Sequence, residues 1–311
     1  MSKSLEPFHE GELAVQRMAG EQDAARQNGV MIGSAVTPGA RPFLQQQRML
    51  VAASRDTLGR PWASIVFGVP GFVTAHDDGR SVTIDRAKSF ASDTDILWSN
   101  LKIGAPLGLL AIELSTRRRL RINGHVESST EDRVVLGVDQ AYPNCPKYIQ
   151  RRRLGSLMPP LSNEPPVPTE GQVPDTALLA AVRKSDTAFV ASGHPSGGLD
   201  ASHRGGQPGF IQILAPDKLR IPDYAGNCMF NTLGNFRVVS RCGLTLLDFR
   251  ESRIYQRTGE ATVHLDAQGE IDEPSNTGRS WQLLVRYWRS IELPIRADWE
   301  FIDYSPYNPA S

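Results

Sequence analysis

The chain has 311 residues, enough for about two domains of ordinary size. Its 34 basic and 34 acidic side chains cancel, which excludes a general nucleic-acid binder because phosphate binding needs a basic surface. Hydrophobic residues make up 40% of the sequence, as in a protein that buries a large core. The longest apolar run, residues 103–114, contains Glu113 and is shorter than the roughly 20 residues of a membrane span, so no transmembrane helix is expected.

The beginning of the chain and its cysteines indicate a cytoplasmic protein. The first twelve residues lack the apolar stretch of a signal peptide. Cys145, Cys228 and Cys242 form no C-x-x-C pair, so neither a disulfide framework nor a metal site is expected.

In chain order, the pattern predicts few helices and many short strands. Helical spacing of apolar residues covers 11–28, and shorter helical stretches cover 43–49 and 94–101. Strands are predicted at residues 50–53, 62–67, 72–75, 81–84, 107–114, 119–126 and 133–139. Such close spacing favours a mainly β fold, a β-barrel with a few helices.

Residues 158–174 contain six prolines and predict a semi-rigid spacer rather than a packed element. We therefore expect an N-terminal helical segment over residues 1–42, a first domain over 43–157, the linker over 158–174 and a second domain over 175–311.

The stretch of residues 199–235 predicts strands at 201–204, 210–214 and 218–221, arranged as an antiparallel meander and followed by a short helix ending at Asn235. Hydrogen-bonding side chains gather at the ends of these strands, and glycines beside them let the backbone approach a ligand closely. The arrangement suits a planar anion. The side chains are Ser202, His203, Arg204, Asn227, Thr232 and Asn235, and the glycines are Gly205, Gly206 and Gly226.

The two halves of the sequence share a collinear set of short matches. Pro70-Gly71-Phe72 recurs at 208–210, an offset of 138 residues, and VAAS at 51–54 resembles VASG at 190–193. Three further pairs share an offset of 135 residues: Asn100 with Asn235, Gly108 with Gly243, and Gly124 with Gly259. A collinear set with small drift predicts two copies of one β-barrel domain.

These motifs resemble the flavin-binding split barrel of the pyridoxamine 5′-phosphate oxidase-like family. The resemblance is carried by SHRGGQPGF at 202–210, IPDYAGN at 221–227, TLGN at 232–235 and YPNCPKYIQ at 142–150, the last being similar to the helix that follows the barrel in that family. It implies two tandem split barrels in a pseudo-dimer, with FMN between them and redox chemistry on a small-molecule substrate. It also implies an electron donor, either NAD(P)H or a separate reductase. The substrate pattern of the true pyridoxamine phosphate oxidases is absent.

The two copies differ at the positions of the motif. Where the second copy has DASHRGGQPGF, the first has WASIVFGVPGF, and the glycine–asparagine corner of the second copy is missing from the first. The YPNCPKYIQRRR segment follows only the first copy. We therefore expect one composite FMN site per chain, made from the second copy and the helix after the first, and a degenerate half-site elsewhere.

The expected cofactor site has two alternative phosphate cradles. Asn144 and Pro146 would begin a helix whose N-terminus, with Lys147, receives the phosphate. The alternative cradle is Ser202 with Arg204. The full set of expected cofactor-binding residues is Asn144, Cys145, Lys147, Tyr148, Ser202, His203, Arg204, Gly205, Asp223, Tyr224, Gly226, Asn227, Met229, Thr232 and Asn235. No catalytic residue is identified.

For several residues the sequence leaves two interpretations open, one structural and one functional. His203 is a hydrogen-bonded scaffold residue or an acid–base group, and Cys145 is a buried thiol or one activated by a helix N-terminus. Arg117, Arg119 and Arg121 alternate on one strand face, which is either solvated or receives an anion.

Three functions remain open from the sequence. They are an FMN-dependent oxidoreductase, which is favoured; a flavin carrier or sensor without turnover; and a barrel that binds haem or is structural. A homodimer is expected, and neither nucleic acid nor membrane is an expected partner.

Overall fold

The computed structural model describes residues 7–90, 92, 94–160, 166–196, 198–265 and 277–309, and the mainly β fold class is confirmed. The helices are α1 (Glu10–Ala19), α2 (Gln22–Gly29), α3 (Arg41–Gln45), α4 (Ile96–Asn100), α5 (Thr176–Lys184) and α6 (Asn231–Val238). The strands of the first half are β1 (Met49–Arg55), β2 (Pro61–Gly68), β3 (Val73–Ala75), β4 (Ser81–Asp85), β5 (Ser89–Phe90), β6 (Pro106–Glu113), β7 (Arg118–Ser129), β8 (Arg133–Pro143) and β9 (Arg151–Met158). Those of the second half are β10 (Thr169–Gly171), β11 (Thr187–His194), β12 (Gly198–Gly205), β13 (Gln212–Ala215), β14 (Lys218–Pro222), β15 (Arg241–Asp248), β16 (Arg253–His264), β17 (Ser280–Glu292) and β18 (Arg296–Asp303).

The two halves of the chain form antiparallel sheets with the same strand succession. The first sheet runs β3-β4-β8-β7-β6-β1-β2, with β5 added beyond β2. The second runs β13-β14-β17-β16-β15-β11-β12, with β10 added on β17. Strands β9 and β18, which follow the two sheets in sequence, pair with each other and join the halves.

Equivalent residues in the halves make equivalent contacts. The strand pairs β7–β8 and β16–β17 each contain a bulge whose extra residue lies on β8 and on β17, opposite Gly124 and Gly259. A Cβ atom at Gly124 would lie 1.8 Å from the Gly137 carbonyl oxygen, and one at Gly259 would lie 2.0 Å from that of Leu284. Both bulges therefore require glycine, because the neighbouring backbone occupies the place of a side chain.

Three large apolar cores, with a fourth small cluster around Phe8 and Met229, stabilise the described part of the molecule. One fills the first sheet around Leu50, Phe72 and Leu107, and another fills the second sheet around Val190, Leu244 and Trp281. The third lies between the sheets and draws residues from both. Its members include Val51, Ala53, Ile65, Leu110, Phe189, Ala191, Leu199 and Ala201. Both faces of β1 and β11 are buried, since one strand face points into its own sheet's core and the other towards the partner sheet.

Two sequence predictions about local structure need correction. The single helix predicted over residues 11–28 is two helices, because Gly20 ends α1 in the left-handed conformation with φ 68°. The antiparallel meander predicted within 199–235 is wrong at its first strand pair. Strand β12 pairs along its whole length with β11, and β13 pairs with β14 at the other end of the sheet order.

The proline-rich region is also more than a spacer. Residues 161–165 lie outside the described residues, but β10 pairs with β17 and the Trp288 Nε1 donates to the Val173 carbonyl oxygen at 2.8 Å. The end of the linker is therefore packed on the second sheet. None of the helices in the described ranges is long and apolar enough to cross a membrane.

Candidate functional site

A pocket of about 800 Å³, counting its solvent-open mouth, lies where the two halves meet. Its walls come from β7 of the first half, the segment after β8, the end of β12, and the stretch from β14 into α6. The lining residues are Arg119, Arg121, Asn144, Cys145, Lys147, Tyr148, His203, Arg204, Gly205, Phe210, Pro222, Asp223, Tyr224, Gly226, Asn227, Cys228, Phe230, Asn231 and Thr232. The structure thus gathers all the sequence-predicted site residues around this pocket except Ser202, Met229 and Asn235, which lie behind its wall.

The segment after β8 is not the predicted helix. Residues 144–150 form a turn in which Tyr148 has a positive φ of 64°. Two arginine side chains that lie outside the segment donate to its backbone carbonyl groups. Arg119 Nε donates to the Cys145 oxygen at 2.8 Å, and Arg117 Nε donates to the Ile149 oxygen at 2.7 Å. The predicted phosphate cradle at a helix N-terminus, and with it the activation of Cys145 by a helix, is therefore wrong.

Close backbone approach fixes this segment against β12. A Cβ atom at Gly205 would lie 2.1 Å from the Tyr148 carbonyl oxygen, so only glycine allows the segment to pass there. The opposite side of the pocket is held by the Asn227 Nδ2, which donates to Asn144 Oδ1 at 3.1 Å. The Tyr148 hydroxyl donates to the Ala225 carbonyl oxygen at 2.9 Å, and its ring lies 4.8 Å from that of Tyr224.

Unfavourable backbone conformations gather at the pocket. Among the described residues, positive φ angles at non-glycine positions occur at Tyr148, Cys228 and Phe230, which line it, and at Arg117 and Ser252 elsewhere. Such conformations cost of the order of 1–3 kcal/mol each and persist only where the surroundings impose them, most often at functional sites. The surrounding fold therefore imposes the backbone conformation of the pocket wall.

Four cationic side chains line the pocket: Arg119, Arg121, Arg204 and Lys147. Arg121 forms an ion pair with Asp200 at 3.3 Å, and Arg204 lies 3.8 Å from Asp223. Within the described ranges, no carboxylate lies within ion-pair distance of Arg119. Burial, with the neighbouring charges of Arg121 and Arg204, lowers the pKa of Arg119 to about 9, so it stays charged at neutral pH. The pocket is therefore electropositive.

The one acidic residue of the lining, Asp223, is shared. Arg279 Nε donates to Asp223 Oδ2 at 3.2 Å, closer than the Arg204 contact. Burial raises the pKa of Asp223, against the opposing charges of Arg204 and Arg279. Because Asp223 also pairs with Arg279, it compensates the charge of Arg204 only in part.

Four lining residues have a buried polar atom that finds no hydrogen-bond partner among the residues the structure describes. These atoms are Arg121 Nε, Asn144 Nδ2, His203 Nε2 and Arg204 Nε. Leaving such a group unpaired costs about 1–3 kcal/mol, and more for a charged one. Their concentration around one electropositive pocket indicates a ligand rich in acceptors.

His203 is neutral in this site. Burial, followed by the charges of Arg119 and Arg204, holds the pKa of His203 well below its usual range. Its ring packs edge-on against Phe189, with 5.9 Å between the ring centroids. A neutral imidazole here offers one polar nitrogen, Nε2, and no positive charge.

The three predicted residues outside the lining support it from behind. Ser202 Oγ accepts from Arg121 Nη2 at 2.6 Å and from Thr232 Oγ1 at 3.1 Å. Asn235 Nδ2 donates to Asp200 Oδ2 at 2.6 Å and to Ser192 Oγ at 3.0 Å. Met229 is fully buried, and its carbonyl oxygen accepts from Gln16 at 3.1 Å. Ser202 therefore orients Arg121 instead of touching a ligand.

Sequence reasoning missed several lining residues, mainly Arg119, Arg121, Phe230 and Asn231. The sequence shows Arg119 and Arg121 as alternate arginines of one strand face. It does not show that β12, on the other side of the pocket, belongs to the other half of the chain. Phe230 and Asn231 are the N-terminal boundary of α6 and carry no composition signal of their own.

A second pocket lies at the equivalent position, with the roles of the two halves exchanged. Each half supplies to it the elements that the other half supplies to the first pocket. Its volume, about 310 Å³, is smaller, and its lining includes Ile65, Val66, Ile254 and Leu293. By the offsets of the repeat, Ile65 and Val66 stand where the first pocket has His203 and Arg204, and Ile254 stands where it has Arg119. Apolar residues have thus replaced the cationic ones.

Comparisons with known proteins give similarity to solved structures only. No family model matches the chain, and no curated protein matches it. HupZ from Group A Streptococcus is 12% identical with a TM-score of 0.29, and the match covers 36% of this chain and 88% of that one. A proposed pyridoxamine 5′-phosphate oxidase from Lactobacillus delbrueckii is 14% identical with a TM-score of 0.31, covering 37% and 93%. An F420 reductase is 11% identical with a TM-score of 0.26, covering 35% and 93%. We therefore base the function on the pocket itself.

Proposed function

We propose that the pocket binds FMN, one molecule per chain, and that the protein is a flavoprotein. The observation that carries this proposal is the set of unpartnered buried polar atoms on Arg121, Asn144, His203 and Arg204 within an electropositive pocket. A phosphate supplies several acceptor oxygens and two negative charges, which match donors of this kind.

The residues present fit the two ends of FMN. Arg119 and Arg204 would hold the phosphate, and Lys147 would add charge from the turn after β8. Asn144, Asn227 and Thr232 offer amide and hydroxyl groups to the polar edge of the isoalloxazine ring. Tyr148 and Tyr224 present aromatic surface at the mouth, suited to a planar ring.

Bound FMN would supply hydride and electron transfer, so an oxidoreductase is the function that follows from this cofactor. The electron donor is NAD(P)H or a separate reductase, and the acceptor is a small molecule. The protein would bind the cofactor, tune it through nearby donors and exclude water from the buried side. The neutral His203 places a polar nitrogen, without charge, beside the arginines.

Two arginine substitutions test the site. Arg119→Ala and Arg204→Ala each remove a charge-assisted contact worth about 1.5–3 kcal/mol, so FMN should bind about 10- to 150-fold more weakly. The matched control is Arg153→Ala, because Arg153 is 65% exposed and pairs only with Glu300 at the surface. Binding is measured by titrating FMN and following its fluorescence. Unchanged FMN affinity in both pocket variants would show that FMN does not bind at this site.

Haem binding is a second candidate, favoured by one observation. A neutral histidine is the usual axial ligand of haem iron, and His203 is neutral with an unpartnered Nε2. An absorbance spectrum after incubation with each cofactor separates the two, since haem gives a Soret band and flavin does not. A flavin carrier would bind FMN equally tightly, yet would show no reduction by NAD(P)H or by a reductase.

A further inference from the structure

A buried carboxyl lies directly behind the pocket wall. Glu12, in the first turn of α1, is 4% exposed. Its Oε1 accepts from Asn231 Nδ2, and its Oε2 accepts from the His9 backbone N–H at 2.9 Å. Asn231 lines the pocket, and its Oδ1 accepts from Arg121 Nη1 at 3.0 Å. Two hydrogen bonds through Asn231 therefore connect Glu12 to a pocket arginine.

Close helix packing holds Glu12 in this place. A Cβ atom at Gly11 would lie 2.2 Å from the Gly234 carbonyl oxygen, and one at Gly234 would lie 2.6 Å from the Glu12 Cα. Helices α1 and α6 are thus in backbone contact, which requires glycine on both. Glu12 cannot reach solvent without separating the two helices.

Titratable groups on three strands face Glu12, and His194 of β11 stacks on His9 with 4.1 Å between the ring centroids. Asp200 lies on β12, Arg121 on β7 and Tyr142 on β8, while His9 caps α1 itself. Burial and the charge of Asp200 raise the pKa of Glu12 to about 8, although Arg121 and two hydrogen bonds oppose the shift. Burial also raises the pKa of Tyr142 and lowers that of His9, so both are neutral at pH 8. Glu12 is therefore the group of this cluster that changes charge near that pH.

His9 connects Glu12 to the outside. Its Nε2 lies 3.5 Å from Glu12 Oε2 and 3.0 Å from Asn235 Oδ1, and its side chain is 16% exposed. His9 Nδ1 accepts from the Gly11 backbone N–H at 3.1 Å, so the imidazole can pass a proton between solvent and the buried carboxyl when this bond opens to water.

We propose that at mildly alkaline pH Glu12 takes up a proton from solvent, through His9, when an anionic ligand binds in the pocket. The inference rests on the proposed function and adds a pH control to the same site. In the free protein, Arg121 favours ionised Glu12. A bound phosphate compensates the charge of Arg121 and adds negative charge nearby, so the carboxylate is protonated to the neutral acid.

The sign of the pH dependence follows from linkage. At pH 6 Glu12 holds its proton in the free and the bound protein, so binding takes up none through it. At pH 8 to 9 part of the free protein has ionised Glu12, and binding draws in up to one proton. FMN affinity should therefore fall as the pH rises above about 8, by at most about tenfold per pH unit.

Calorimetry with FMN tests the inference on the full chain. Titration at pH 6 and at pH 8.5, in two buffers of different ionisation enthalpy, gives the number of protons taken up per FMN. Wild type should take up a substantial fraction of one proton at pH 8.5. Glu12→Gln should lose this uptake and bind FMN with an affinity that no longer falls between pH 7.5 and 9. Glutamine can keep the capping bond to the His9 N–H, so the helix start is preserved.

The matched control is Glu10→Gln, which removes a carboxylate of the same helical turn that is 70% exposed. This variant should retain the uptake of wild type. Infrared titration of wild type needs no variant, and it should show the C=O stretch of a protonated buried carboxyl that disappears as the pH passes about 8.

The outcomes separate this inference from the proposed function. FMN binding with no uptake at pH 8.5, or with the same uptake in Glu12→Gln, would overturn the inference and leave the flavin site standing. Failure of wild type to bind FMN would overturn both. Loss of uptake in Glu12→Gln alone, with FMN still bound, would establish Glu12 as the proton acceptor.

Discussion

At the scale of single residues, a few substitutions decide which half of the molecule carries an anion site. Arg121 and Gln256 occupy equivalent positions, and each bonds to an equivalent serine across the interface. Arg121 Nη2 donates to Ser202 Oγ at 2.6 Å, and Gln256 Nε2 lies 3.4 Å from Ser64 Oγ. The scaffold contact is thus kept in both halves, while the charge exists in only one of these two positions.

The equivalent glycines Gly108 and Gly243 give a prediction at this scale. A Cβ atom at Gly108 would lie 2.4 Å from the Leu199 carbonyl oxygen, and one at Gly243 would lie 2.6 Å from that of Pro61. Because these are backbone contacts between the halves, Gly108→Ala should lower the free energy of unfolding by about 1–3 kcal/mol, as overpacked cores do. Chemical denaturation measures the change.

The control for this change is Gly39→Ala, since nothing lies within 4 Å of a Cβ atom at Gly39 and its φ is not in the left-handed region. Equal stability of Gly108→Ala and wild type would show that the strands of the two halves are not held as closely as described.

Some site residues could be predicted from the sequence, and others could not, for a physical reason. Arg204 and Asn227 stand out as polar residues beside glycines in a strand-rich stretch, which is a local signal. Arg119 faces the pocket only because β7 of one half packs beside β12 of the other. Glu12 was read as part of an amphipathic helix, since its burial depends on α6, more than 200 residues away.

At the scale of elements, α1 supports the pocket through α6. The contact of Gly11 with Gly234 brings Glu12 to Asn231, and Gln16 holds the carbonyl oxygen of the buried Met229. The N-terminal helices therefore position a pocket wall that belongs to the second half.

Gly11→Ala tests this support. The new methyl group would meet the Gly234 backbone, so α1 must shift away from α6 and the Glu12–Asn231 hydrogen bond should weaken. Loss of a hydrogen bond costs about 0.5–1.5 kcal/mol, so FMN affinity at pH 7 should fall about two- to tenfold. Met18→Ala is the control, because Met18 lies on the same helix and is 53% exposed. Full affinity in Gly11→Ala would contradict a role of α1 in holding the pocket.

In the first half, β1 to β4 and β6 to β8 were predictable because short apolar runs alternate with turn residues, whereas β5, β9, the turn after β8 and the pairing of β12 were not. Residues 144–150 have good helix-start chemistry, yet arginine side chains from β7 and from its preceding turn satisfy their carbonyls in a turn. Strand β12 forms a hairpin with β11, and their ladder of eight residue pairs outweighs the turn signals after Gly205. Both cases are tertiary contacts overriding a local preference.

At the scale of the whole molecule, two sheets of the same strand order meet across a shared core and form two unequal pockets. The larger is lined by arginines and has unpartnered donors, and the smaller is lined mostly by apolar side chains. A pseudo-dimer of this kind explains why neither half alone contains the site: β7 and the turn after β8 come from one half, and β12 and α6 from the other.

The most direct test of this account is the number of FMN molecules bound per chain. Purified protein is saturated with FMN, freed of excess, and the cofactor released on denaturation is quantified against the protein by absorbance. We predict close to one FMN per chain, because the smaller pocket has lost the cationic residues. Two FMN per chain would contradict the unequal pockets, and none would contradict the flavin site itself.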